Sequence, residues 1–181
     1  MRHTFQAEQW LPFPVPVVFA FFANPQNLPP LMPKWQQARI EELRLVAPPP
    51  APADGPSRLG TGVGTTMILS VRMLPRLPMR MNWHARIEEF EWNDHFCDVQ
   101  TSGPFAYWRH CHRVKVEARE GVEGALLMDC VEYELPGGPL GDLADALLGK
   151  QQLRSIFAER KCKAAMLMPI WAERMERRRA E

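Results

Sequence analysis

Residues 103–116 read Gly-Pro-Phe-Ala-Tyr-Trp-Arg-His-Cys-His-Arg-Val-Lys-Val, and residues 127–135 read Leu-Met-Asp-Cys-Val-Glu-Tyr-Glu-Leu. Both stretches alternate with a period of two, the mark of a strand with one buried face. On the first, Trp108, His110, His112, Val114 and Val116 share a face, with Arg109, Cys111, Arg113 and Lys115 opposite. On the second, Leu127, Asp129, Val131, Tyr133 and Leu135 share a face against Glu132 and Glu134. A connection at Glu120 to Gly124 makes the two an antiparallel hairpin. Matching apolar to apolar and charge to countercharge puts His112 near Val131, His110 near Tyr133 and Val114 near Asp129. Outside, the same register brings Arg109 near Glu134 and Arg113 near Cys130. The inward face then carries Trp108, His110, His112, Asp129 and Tyr133 among aliphatic side chains. Buried polar groups need partners, so these satisfy one another or meet a ligand.

Working outward, the preceding segments continue the strand pattern. Strands are predicted at 65–74, 80–92, 95–103, 106–118 and 125–135, joined by short links and therefore antiparallel. Trp83 and Ile87 alternate with His84, Arg86 and Glu88 and are expected to face inward, whereas the face of Phe96, Asp98 and Gln100 has no evident direction. Residues 3–11 form a first strand, stopped by Pro12, Pro14 and Pro16. Val17 to Ala23 is a short apolar helix ended by Asn24-Pro25, and Asn27 can cap a second helical turn, Leu28 to Met32. The faces of Val18, Phe21 and Phe22 must be buried, so these two helices plug one end of the molecule. A second strand is predicted at about 35–46.

Residues 47–64, with Pro48-Pro49-Pro50 and Pro52, read as an exposed loop and not as a domain linker. The period changes at Pro139, where 139–178 acquires helical spacing, with bends expected near Gly149 and Pro169. Strand, two short helices, six strands and a long helix describe a single α+β domain over 1–181.

A net charge of +1, from 22 Lys and Arg against 21 Asp and Glu, excludes a general nucleic-acid binder. The basic run at Arg174 to Arg179 reads first as cations at a helix C-terminus, with nucleic-acid or acidic-lipid contact as the alternative. No apolar run approaches the roughly 20 residues of a membrane span, and the N-terminus lacks a signal-peptide pattern, so the expected location is the cytoplasm. Four cysteines (Cys97, Cys111, Cys130, Cys162) show no Cys-x-x-Cys pair and read as small hydrophobes or thiols, not as a zinc site or disulfide framework. Ten Met and six Trp suit a wall that fits an irregular apolar shape, although ordinary core filling also uses them.

The polar cluster admits three readings. It is a self-satisfied core network, such as Asp129 orienting His112. Or His110 and Tyr133 are polar contacts in an otherwise apolar pocket. Or the group is a metal or catalytic site. His-x-His places two imidazoles on one face, but a metal wants a third ligand and only Asp129 is offered, so no metal is expected. A Cys/His nucleophile is disfavoured because Cys111 points away from both histidines.

Three motifs carry a resemblance: Phe-Ala-Asn-Pro-Gln-Asn-Leu at 22–28, Gly-Pro-Phe-x-x-Trp-x-His-x-His at 103–112, and Asp-x-Val-x-Tyr-x-x-Pro-x-Gly-x-Leu-Gly at 129–141. With these the chain resembles the START-like (SRPBCC) superfamily over nearly its whole length, and within it a bacterial ligand-binding subgroup related to polyketide cyclase/dehydrase-like proteins. The resemblance implies a helix-grip (Bet v 1-like) fold, a seven-stranded antiparallel sheet curved around a long C-terminal helix, with a cavity between them for lipids, polyketides or isoprenoids. It implies no cofactor. The expected function is binding of an apolar molecule by a monomer or dimer, with Phe21, Trp83, Trp108, Val131 and Phe157 as walls and His110, His112 and Tyr133 as polar contacts. The alternative is a cyclase, dehydratase or isomerase, in which His110 or His112 is acid or base, Asp129 orients it, and Tyr133 donates to an oxyanion.

Overall fold

A computed structural model describes residues 1–51, 61–73 and 79–180 of the chain. Residues 52–60 of the proline-rich loop and part of the link before residue 80 therefore lie outside the described residues. Seven strands form one antiparallel sheet: β1 (His3–Leu11), β2 (Arg39–Arg44), β3 (Thr66–Arg72), β4 (Arg80–Glu91), β5 (His95–Ser102), β6 (Tyr107–Arg119) and β7 (Val122–Glu134). Their spatial order is β1-β7-β6-β5-β4-β3-β2. Successive hairpins give every neighbour from β2 to β7, and β1 closes against β7. Irregularities in the β2/β3 and β4/β5 pairings add the bends and twist that let such a sheet wrap around a helix.

Between β1 and β2 lie α1 (Val15–Phe22) and the single turn α2 (Leu28–Leu31). Lys34–Gln36 is a 3-10 turn, so the second strand is shorter than 35–46. Pro16 sits in the first turn of α1, where its missing N–H costs no helical hydrogen bond. Helix α1 buries Val18, Phe19, Phe21 and Phe22 against Phe96, Val114 and Leu127 of the sheet. This core closes one end of the fold.

After β7 the chain enters α3 (Pro139–Ala144), a π-helical turn over Asp145–Gly149, and α4 (Lys150–Ala180). The π turn includes Gly149, one of the two positions where a bend is expected, and α4 continues through Pro169, the other. Helix α4 buries Leu153, Phe157, Ala164 and Met168 at helical spacing. It is tied across the sheet by Gln9 Nε2 donating to the Lys161 carbonyl (2.9 Å) and Gln152 Nε2 donating to the Met73 carbonyl (2.9 Å). Lys163 Nζ donates to the Met32 carbonyl and fastens α4 to the end of α2. Among the described residues, no helix is long and apolar enough to cross a membrane.

The β6/β7 register differs from the expected one by two residues. His112 pairs with Asp129, His110 with Val131 and Trp108 with Tyr133. The cause is the turn. Glu120 (φ 51°) and Gly121 (φ 79°) make a two-residue connection, so β7 begins at Val122 and not near 125. Gly124 can then lie within a strand because Trp10 covers it, and a Cβ there would stand 2.8 Å from the indole and 2.5 Å from the Leu11 carbonyl oxygen. On the outer face Arg109 pairs with Glu132 in the ladder and binds Glu89 at 2.6 Å, in place of the expected Glu134. Arg113 lies opposite Met128, in place of Cys130. Cys97 and Cys111, directly opposite on β5 and β6, are joined as a disulfide, so these two are not the isolated thiols expected.

Candidate functional site

A cavity of about 380 Å³ lies between the sheet and α4. The sheet contributes Leu69, Trp83, Ala85, Trp108 and Tyr133; the α1–α2 region contributes Phe22 and Leu31; α4 contributes Leu153, Ile156 and Phe157. Its size and predominantly apolar lining suit a small organic molecule. The Trp83 and Trp108 rings meet edge to face at 4.7 Å, and Phe105 lies 4.7 Å from Trp108. The Trp83 indole nitrogen is buried and has no hydrogen-bond partner among the described residues.

Four of the polar lining side chains, Asp98, His110, His112 and Arg160, gather around Asp129. His110 Nε2 donates to Asp129 Oδ1 at 2.9 Å, and His112 Nδ1 approaches the same oxygen at 2.7 Å. The two imidazole centroids are 4.0 Å apart, and His112 stacks on Phe96 at 4.4 Å. Helix α4 adds Arg160, whose Nη1 lies 3.5 Å from Asp129 Oδ1 and whose guanidinium rests near Phe22 and Phe157. Strand β5 adds Asp98, opposite His110 in the ladder and 3.9 Å from its Nδ1.

Burial sets the charge states. It pushes His112 down to about 3, helped by His110 and only partly opposed by Asp129, so this ring is neutral near pH 7. Burial works against the Asp129 carboxylate as well, but Arg160 and the hydrogen bonds from both imidazoles outweigh it and hold the group well below its usual range. Burial raises Asp98 despite His110, Arg160 and the nearby Trp108 indole. Asp129 is thus a buried anion serving two rings and one guanidinium.

Of the residues named from sequence, Trp83, Trp108, His110, His112, Tyr133 and Phe157 line the cavity together. Asp129 stands directly behind the imidazoles. Phe21 and Val131 do not line it: Phe21 packs in the core against Phe22 and Trp171, and Val131 is buried in the sheet-side cluster with Trp108 and Leu153. Phe22 occupies the position expected of Phe21, because neighbours on a helix point about 100° apart. Tyr133 presents its ring to the cavity, but its hydroxyl donates to Asp145 at 2.6 Å. That leaves the oxyanion-donor role without its proton. Arg160 was missed, yet it stands at the centre of the stripe Leu153, Phe157, Ala164 and Met168, where a charge has to be buried. Asp98 was missed as a site residue because nothing on β5 alone fixes which face turns inward.

No protein-family model matches the chain, and no curated protein matches it. Solved structures share its fold. A START superfamily protein from Mycobacterium smegmatis superposes with a TM-score of 0.59 at 13% identity, covering 91% of this chain and 99% of its own. TTHA0849 from Thermus thermophilus gives 0.58 at 15% identity, covering 91% and 99%. Ara h 8.0201 gives 0.52 at 18%, covering 89% and 96%. The chain therefore has the START-like helix-grip fold.

Proposed function

We propose that this protein binds an apolar small molecule, of lipid, polyketide or isoprenoid type, in the cavity between the sheet and α4. The observation that carries the reading is the cavity itself: about 380 Å³ of space lined chiefly by aliphatic and aromatic side chains, with Asp98, His110, His112 and Arg160 among its polar groups. Burying apolar surface there yields roughly 25 cal/mol per Å², and the polar wall sets orientation. The unpartnered indole N–H of Trp83 favours a molecule that also carries a carbonyl or hydroxyl oxygen. The protein works in the cytoplasm as one binding domain, monomeric or dimeric.

Titration with the fluorescent apolar probe N-phenyl-1-naphthylamine tests this. Saturable binding is expected for the wild type, and Ala85→Phe, which fills the cavity from β4, is expected to weaken it at least tenfold while the protein stays folded. Unchanged binding by Ala85→Phe would place the probe elsewhere and count against the proposal.

A second reading, an acid–base enzyme of the cyclase, dehydratase or isomerase kind, draws support from two imidazoles sharing the buried Asp129 carboxylate beside the cavity. In that reading His110 or His112 moves the proton and Asp129 holds the ring. His110→Gln would then abolish turnover of a bound molecule and leave its affinity within about threefold, whereas loss of affinity with no turnover in the wild type excludes it.

A further inference from the structure

We infer that Asp98, His110 and His112 form a binding site for one divalent transition-metal ion on the cavity wall. Each offers one donor atom, a carboxylate oxygen or an imidazole nitrogen, and the three atoms lie within 4.8 Å of one another. The strands explain the convergence. His110 and His112 are two apart on β6 and share a face, and Asp98 is the direct ladder partner of His110 on β5.

The ring orientations suit a metal. A ligating histidine commonly gives its other N–H to a carboxylate, which fixes the tautomer and raises the basicity of the ligating nitrogen. Here Asp129 Oδ1 takes both rings, from His110 Nε2 at 2.9 Å and His112 Nδ1 at 2.7 Å. His110 Nε2 gives its proton to Asp129, so His110 Nδ1 carries a lone pair. His112 Nδ1 has two neighbours, Asp129 Oδ1 at 2.7 Å and Arg160 Nη2 at 3.4 Å; the nearer carboxylate takes its proton when His112 Nε2 ligates. His110 Nδ1 and the Asp98 oxygen are 3.9 Å apart, too far for a hydrogen bond. An ion with bonds of about 2.0–2.2 Å holds its donors roughly 3.4 Å apart, so side-chain shifts of under about 1 Å close the set. Arg160, which also lines the cavity, stands 3.5 Å from Asp129 Oδ1 and offsets that carboxylate's charge.

Two imidazoles with one carboxylate select a borderline ion, zinc(II), cobalt(II) or iron(II), over calcium or magnesium. All three residues line the cavity, so the remaining coordination positions of the ion face whatever the cavity holds. This inference stands independently of an apolar ligand, because the metal alone can be assayed.

A second group, Glu91, Asp94 and His95 on the β4–β5 hairpin, is the internal control: it is more exposed and offers one imidazole with two carboxylates. The test uses protein without an affinity tag, stripped with chelator and titrated with cobalt(II) alone. One equivalent is expected to bind, with Asp98→Asn and His110→Gln each weakening it at least tenfold and His95→Ala leaving it unchanged. X-ray absorption on the loaded wild type is expected to count two imidazoles, a readout that needs no variant to fold. Failure to retain cobalt(II), a count of one imidazole or none, or loss of binding with His95→Ala would each overturn the inference.

Discussion

The Tyr133 hydroxyl donates a hydrogen bond to Asp145 Oδ1 at 2.6 Å, joining the end of β7 to the π turn that precedes α4. Asp145 is only 1% exposed, and its other oxygen lies 3.4 Å from His3 Nδ1 on β1. Gly149 completes the turn, because a Cβ there would meet Asp145 Oδ1 at 2.2 Å. One buried carboxylate thus ties the turn before α4 to β7, while its second oxygen, near His3, has no hydrogen-bond partner among the described residues. Burial and this acceptor push the Tyr133 phenol well above its usual range.

Tyr133→Phe removes the donor and leaves Asp145 buried with less compensation. We expect a loss of about 1–3 kcal/mol in urea unfolding, with little change in ring packing. An unchanged unfolding midpoint would show that the contact does not hold the turn.

Stability should fall on acidification, with His112 acting first. Its folded value of about 3 lies below the ordinary 6.5. Between those values the unfolded chain binds the proton and the folded chain does not. Stability therefore rises with pH across that window and drops by up to about 1.4 kcal/mol per pH unit on going down. Asp129, held low, adds a further loss below about pH 4. Asp98 runs the other way: its raised value lets the folded chain take a proton first and offsets part of the loss. Comparing urea midpoints at about pH 7 and about pH 5 checks this. The drop should shrink in His112→Gln, and an equal drop in the variant would rule out His112 as its source.

The disulfide sets the thiol count. Alkylation of the unfolded chain without reductant should label Cys130 and Cys162 and spare Cys97 and Cys111. Reduction should lower stability by roughly 3 kcal/mol in the chain-entropy view of a loop this short. Labelling of all four cysteines before reduction would contradict the bridge.

The period of each strand was readable from residues alone, and with it which side of β6 and β7 faces inward. The register was not. A slip of one residue would have reversed every face, but a slip of two preserves them all. Only the turn distinguishes the two registers, and Glu120-Gly121 lacks the Asn-Gly or Asp-Gly signature of a two-residue hairpin. That slip mattered for chemistry, since it moves Asp129 from beside Val114 to beside His112. Arg160 was legible in principle as the charge interrupting the buried stripe of α4. Asp98 was not, because the inward face of β5 is settled by its pairing with β4 and β6. The choice between Phe21 and Phe22 depended on how α1 is rotated against the sheet, which no local pattern reports.

Native mass spectrometry of protein purified from its own host is the most direct test of apolar-ligand binding. The expected spectrum shows the chain with one added small mass, released by organic extraction and absent from Ala85→Phe. A wild-type spectrum with the bare chain mass alone, together with no saturable uptake of N-phenyl-1-naphthylamine, would contradict it.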